Sequence, residues 1–295
     1  MTVGAAGGLN IVFKAILDPE DEVMVFAPYF GEYRSYAANF DAKIVEVNPN
    51  TATFEPDLAD FEAKITKKTK AVIINTPNNP TGVVYKDETL KHIAAILKKK
   101  QEAYKTDIYL ISDEPYRELV YDGIEENFLT KYYENTIVGY SFSKSLSLPG
   151  ERIGYVVVPD EASDAELLIS GINVANRTLG FVNAPSLMQL TVAECLEEKT
   201  DVAYYDTNRK LLYEGLQKRG FCCFKPEGAF YMWVKSPDED ENHFVEKAKQ
   251  YHLILVPGSA FAWKGYVRIA YCVSKETIER SLPAFQKLAE AYELR

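Results

Sequence analysis

Six strand-like apolar runs alternate with amphipathic stretches through the first half of this chain, and that alternation restricts its fold more than any other feature. The runs occupy residues 22–27, 43–47, 71–75, 108–112, 136–142 and 153–158. Between two of them, the stretch 87–100 places Leu90, Ile93, Ala94 and Leu97 at helical spacing. Strands separated in this way predict an α/β fold whose mostly parallel sheet is sandwiched by helices. Residues 201–220 read as one long helix. After it, short strands at 221–224, 229–234, 254–256 and 266–270 interleave with helices near 242–251 and 275–292. The expected organisation is a large domain over residues 1–205 and a smaller α+β domain over 206–295. A chain of 295 residues, 47% of them hydrophobic, can build such a core; at this size roughly three quarters of the unfolded surface is hidden.

Ligands of open parallel sheets bind beyond the carboxyl ends of the strands, and Asn79, Asp113 and Lys144 each follow a strand-like run. The segment from Ser141 to Tyr155 sets Lys144 among hydroxyl side chains, with Arg152 eight residues on and Gly150 and Gly154 either side of that arginine. A lysine amine whose pKa is lowered by burial or nearby positive charge can hold an aldehyde as a Schiff base. The hydroxyls and the guanidinium suit a phosphate, which arginine grips in a two-pronged fork. An aldehyde and a phosphate on one molecule describe pyridoxal 5′-phosphate (PLP).

Three further segments complete the pattern: Asp113-Glu-Pro-Tyr116, Asn75-Thr-Pro-Asn-Asn79-Pro-Thr-Gly82, and Tyr266-Val-Arg268-Ile-Ala-Tyr271. With these four motifs following one another along the chain in the family's order, the chain resembles the fold-type I PLP-dependent aminotransferases of class I/II, which include aspartate, aromatic and kynurenine aminotransferases. The resemblance runs from about residue 2 to the C-terminus.

It implies PLP as cofactor and Lys144 as the residue that binds its aldehyde and then carries protons. Asp113 is implied as partner of the pyridine nitrogen, with Tyr116 and Asn79 as donors to the phenolic oxygen. Ser141 and Arg152, with the backbone amides of Ala5 and Ala6, would bind the phosphate. Phe30 would stack on the ring, and Arg268 would grip the substrate α-carboxylate, with Asn79 close to it. The implied reaction is ping-pong transfer of an amino group between an L-amino acid and a 2-oxo acid, by a homodimer. Two alternatives share the fold: a carbon–sulfur β-elimination lyase, and an inactive or regulatory member. Family members carry an N-terminal segment that supplies an arm, part of the small domain and a tyrosine for the partner subunit's cofactor phosphate. No residues here match it, and the expectation is a chain truncated at its N-terminus. No position matches the partner-subunit arginine that selects dicarboxylates in some relatives.

A net charge of −10 argues against nucleic acid, which calls for a basic surface. Lys98-Lys-Lys100 is the one compact basic run, and it reads as a solvated helix end. Cys195, Cys222, Cys223 and Cys272 lack metal-ligand spacing, and adjacent Cys222 and Cys223 would face opposite sides of a strand. Reduced thiols in a cytoplasmic protein are expected. His92, His243 and His252 lie in polar, helix-like contexts. No metal site is expected. No stretch approaches the roughly 20 apolar residues of a membrane helix, and no signal-peptide pattern opens the chain. Residues 236–241 are acidic and read as a surface loop leading into a helix.

Overall fold

The alternation seen in the sequence becomes a layered sheet. In the computed structural model, which describes residues 1–125 and 127–294, helix α1 (Gly4–Ile16) precedes β1 (Glu22–Phe26), α2 (Glu32–Ala38), β2 (Lys43–Val47), α3 (Leu58–Lys64) and β3 (Thr69–Ile74). Then come α4 (Asp87–Tyr104), β4 (Tyr109–Asp113), β5 (Thr136–Ser141), the four-residue α5 (Phe142–Ser145) and β6 (Gly154–Val157). The six strands form one sheet in the order β2-β1-β3-β4-β5-β6. Every neighbouring pair is parallel except β5 with β6. The central strands are apolar on both faces because both faces are covered. Phe61 of α3 and Leu90, Ile93 and Leu97 of α4 pack against Met24 and Val72 on one side. On the other, Leu9, Val12 and Phe13 of α1 pack against Val23, Val25 and Ile73.

The first helix begins at Gly4, so the Ala5 and Ala6 amides lie in its first turn. Gly7 leaves room for the side chain of Val3, which precedes the helix, and Gly8 lets the helix approach Val156 of β6 closely. A Cβ on Gly7 would stand 2.4 Å from Val3 Cγ2, and one on Gly8 would stand 3.1 Å from Val156 Cγ2.

Helices α6 (Ala165–Thr178), α7 (Ser186–Ala193) and α8 (Val202–Gln217) lead to the second sheet. That sheet contains β7 (Cys223–Phe224), β8 (Tyr231–Lys235), β9 (Val256–Pro257) and β10 (Tyr266–Ala270), with α9 (Glu241–Lys249) and α10 (Lys275–Ala291) beside it. It is antiparallel, in the order β7-β8-β10-β9. The strand expected at 254–256 pairs two residues later, through Val256 and Pro257. Ile254 is 86% exposed between buried Leu253 and Leu255.

The acidic stretch 236–241 does lead into a helix, and the Asp240 side chain caps α9 by accepting the Asn242 N–H at 2.9 Å. Glu241 corrects the surface reading. It is buried and accepts the backbone N–H groups of Ser259 (3.3 Å) and Gly265 (3.1 Å).

Arg209 of α8 joins the two sheets, and the sequence contained no sign of it. It is 1% exposed, donates to Asp122 Oδ1 at 2.8 Å and to the Pro226 carbonyl at 2.7 Å, and pairs with Asp206 at 2.6 Å. The guanidinium and Lys225 hold the Asp122 carboxyl well below the usual carboxylate range. Removing one partner of a buried ion pair costs about 3–5 kcal/mol, less where the other partner keeps some solvent. Arg209→Met should therefore lower the unfolding free energy by about 2–3 kcal/mol in urea titrations at neutral pH.

Candidate active site

The carboxyl ends of β3, β4 and β5 open into a cavity of about 300 Å³. All ten residues singled out in the sequence line it: Ala5, Ala6, Phe30, Asn79, Asp113, Tyr116, Ser141, Lys144, Arg152 and Arg268. Residues more than 260 positions apart in the chain thus share one cleft, where parallel sheets place their ligands.

Asp113 ends β4 and is 6% exposed. Its Oδ2 accepts the Tyr33 hydroxyl at 2.5 Å, and its backbone carbonyl accepts Asn75 Nδ2 at 2.9 Å. Oδ1 is buried without a hydrogen-bond partner among the described residues. Burial raises the carboxyl pKa to about 6, against the pull of the Tyr33 hydrogen bond. The neighbouring Glu114 takes no part in the cavity, being held by Ser112 Oγ at 2.6 Å and Arg117 at 2.9 Å.

Lys144 sits on α5, immediately after β5. Ser141 caps this short helix by accepting the Ser143 N–H at 3.2 Å. From the other end, Thr200 Oγ1 bonds the carbonyls of Lys144 (3.2 Å) and Ser145 (2.5 Å). The lysine backbone is held on both sides while its amine reaches to 5.2 Å from the Phe230 ring centre. Burial lowers the Lys144 pKa, and the charges of Arg268 and Arg152 push the same way, opposed by Cys272.

Arg152 has a φ of 53°, a region that non-glycine residues visit rarely. Its Nη1 donates to the Pro149 carbonyl at 2.7 Å, and its guanidinium rests against the start of α1. A Cβ on Gly4, itself at φ 75°, would come within 2.7 Å of Arg152 Nη2. An arginine beside the N–H groups of a helix N-terminus is a favourable place for an anion. Arg268 of β10 donates from Nη1 to Asn79 Oδ1 at 2.7 Å, and its Nε has no partner among the described residues. Phe30 lines the cavity and meets Tyr33 edge-on at 5.6 Å.

Sequence reasoning missed Tyr33, Tyr231 and Thr200. Tyr33 lies three residues after Phe30, but only the formation of α2 turns that spacing into a shared position over Asp113. The residues present fit PLP. Asp113 Oδ1 and Arg268 Nε are orphaned buried polar atoms, Arg152 and the start of α1 form an anion cradle, and a lysine amine with a lowered pKa lines the same cavity.

The Asp113 carboxyl makes a pH prediction. Its folded pKa of about 6 lies above its ordinary value, so the fold keeps its stability at low pH and loses it as pH rises through that value. Asp113→Asn should remove roughly 2–3 kcal/mol of stability loss between about pH 4 and pH 7 in the cofactor-free protein. Urea unfolding at the two pH values measures it.

Among the described residues no group of three or more His, Cys, Asp or Glu side chains could hold a metal, and no helix is long and apolar enough to cross a membrane. Residues 1–285 match the family described as aminotransferase class I and II. The chain is 33% identical to the aspartate/prephenate aminotransferase of Thermus thermophilus, over 98% of this chain and 74% of that protein. It is also 33% identical to the aspartate aminotransferase of Thermotoga maritima, over 96% and 73%. A crystal structure of an amino transferase from Eubacterium rectale superimposes with a TM-score of 0.96 at 49% identity, covering 99% of this chain and 73% of that one. Aspartate aminotransferase from Thermus thermophilus with maleate superimposes at 0.87 and 31% identity, covering 97% and 75%. The chain belongs to the class I and II aminotransferase family and is a PLP-dependent aminotransferase of fold type I.

Proposed function

We propose that transamination takes place in the cleft beyond β3, β4 and β5, with the ten lining residues dividing the work. The observation that carries this reading is the convergence of Lys144, Asp113, Arg152 and Arg268 on one cavity. When bound, PLP supplies an electron sink for the bond electrons released at the substrate Cα. Lys144 would hold the cofactor's aldehyde carbon. When freed from it, the Lys144 amine would carry a proton to and from the substrate Cα. Its lowered pKa favours the neutral, proton-accepting form. Asp113 keeps the pyridine nitrogen protonated through its unpartnered Oδ1.

Arg152, Ser141 and the amides of Ala5 and Ala6 hold the phosphate, with the α1 N-terminus adding its partial positive charge. Asn79 Oδ1 accepts from Arg268 Nη1, which leaves Nδ2 to donate, with the Tyr116 hydroxyl, to the phenolic oxygen. Phe30 covers the ring and excludes water, a stacking contact worth on the order of 1 kcal/mol. Arg268 takes the substrate α-carboxylate on the guanidinium edge that carries Nε.

The same reading divides the chain at residues 205 and 206 into a cofactor domain and a smaller domain. Leu212 and Leu216 of α8 pack into the apolar cluster of the antiparallel sheet, which supports that division. A homodimer is supported by apolar side chains left in solvent on α6 and α7: Leu167, Val174, Leu187 and Leu190 are 61–72% exposed. Leu167 and Val174 are seven residues apart on α6, and Leu187 and Leu190 three apart on α7, so each helix turns an apolar face to solvent; a second copy of this chain is the proposed occupant. Four free thiols suit a reducing compartment such as the cytoplasm. The relatives' names, which specify aspartate, prephenate and aromatic amino acids, set the first substrates to try.

Purified protein should be yellow, and borohydride reduction should fix the cofactor on Lys144. Bleaching by one amino acid, reversed by a 2-oxo acid, identifies the substrates. Steady ammonia release without the amine form would overturn transamination in favour of β-elimination. Arg268→Ala should keep the cofactor and lose roughly a hundredfold or more in kcat/KM, the cost of an unpaired buried carboxylate; equal turnover would remove Arg268 from the carboxylate site. Sedimentation of the protein should give twice the chain mass, whereas Leu187→Glu/Leu190→Glu should shift it toward the monomer.

A further inference from the structure

Tyr231 lines the cleft without any role in the scheme above, yet it touches two groups that the scheme uses. It opens β8, where the antiparallel register sets Tyr231 opposite Ala270 and Trp233 opposite Arg268. Opposed residues share a face and the diagonal neighbour lies within reach of an aromatic ring, so the register alone brings Tyr231 beneath Arg268. The guanidinium carbon lies 4.2 Å from the Tyr231 ring centre and 4.7 Å from that of Phe261. Two ring faces therefore flank the arginine and fix its plane, while Asn79 fixes one of its nitrogens. A guanidinium held in this way loses little freedom on binding a planar carboxylate.

The hydroxyl of Tyr231 does a different job. It lies 2.9 Å from the Tyr116 hydroxyl, and either can donate. Each phenol has one proton, and burial pushes both phenol pKa values up, so both protons are present at neutral pH. When an acceptor occupies the cleft and takes the Tyr116 proton, the bond between the two hydroxyls has to run from Tyr231 to Tyr116. A hydroxyl that accepts such a bond becomes a stronger donor in turn.

We infer that Tyr231 is a positioning residue that couples the carboxylate clamp to the cofactor's phenolic oxygen, its ring aligning Arg268 and its hydroxyl directing the Tyr116 proton into the cleft. This inference rests on the roles proposed for Arg268 and Tyr116. Weaker donation from Tyr116 leaves negative charge on the phenolic oxygen less stabilised. The bound chromophore then keeps its proton to higher pH.

The test uses the PLP-loaded enzyme and reads the pH midpoint of its visible absorbance, independently of turnover. Tyr231→Phe keeps the ring and removes the hydroxyl. It should raise the midpoint by roughly half a unit to one unit, the scale of one net hydrogen bond. Tyr116→Phe should raise it further, and the double variant should match Tyr116→Phe alone. Tyr231→Leu should add a roughly tenfold rise in KM for the amino acid, while Tyr231→Phe leaves KM within about twofold. If Tyr116→Phe moves the midpoint and Tyr231→Phe does not, the hydroxyl half of the inference is overturned. If Tyr116→Phe itself leaves the midpoint in place, the underlying role of Tyr116 fails and the inference falls with it. An unchanged KM in a folded Tyr231→Leu variant, with Arg268→Ala impaired, overturns the ring half.

Discussion

The site depends on a carboxylate that the fold buries without fully satisfying. Asp113 has one oxygen bonded to Tyr33 and one left without a partner among the described residues. A buried charge in that condition is costly to the empty protein and becomes favourable when a cationic partner arrives. The sheet makes this possible. Asp113 closes a strand flanked by β3 and β5, is 6% exposed and lines the cleft. A cationic ring in the cleft converts that electrostatic penalty into binding energy.

The other cleft residues are arranged around the same economy of charge. Burial and the charges of two arginines lower the Lys144 pKa, while burial raises that of Asp113. Arg152 sits at the start of α1, where it and the helix N-terminus can share one anion. Arg268 arrives from the antiparallel sheet, and its bond to Asn79 crosses from one sheet's loops to the other's strand. The buried Arg209 makes a second crossing with Asp122 and Pro226. The cleft residues on the parallel sheet and Arg268 on the antiparallel sheet thus belong to two layers bridged by cations.

Much of this was legible along the chain. Strand runs, helical periodicity and the four motifs placed Asn79, Asp113, Lys144 and Arg268 at strand ends or on a strand, and the sheet order brought them together. Tyr33, Tyr231 and Thr200 were not legible, because they lie outside the four motifs and reach the cleft residues only through tertiary contacts. Glu241 was misjudged for a related reason. Charge in sequence suggests solvent, yet two backbone N–H groups from a distant turn make burial of that carboxylate acceptable.

Local sequence determined the kinds of element, their order and the chemical identity of the reactive groups, since periodicity and side-chain chemistry are properties of neighbouring residues. Tertiary structure alone decided how those groups are tuned. The raised Asp113 pKa, the lowered Lys144 pKa and the orientation of Arg268 all come from desolvation and from contacts between residues far apart in the chain. Dielectric environment and distance exist only once the strands have paired, because both are set by what packs around a group and not by what precedes it.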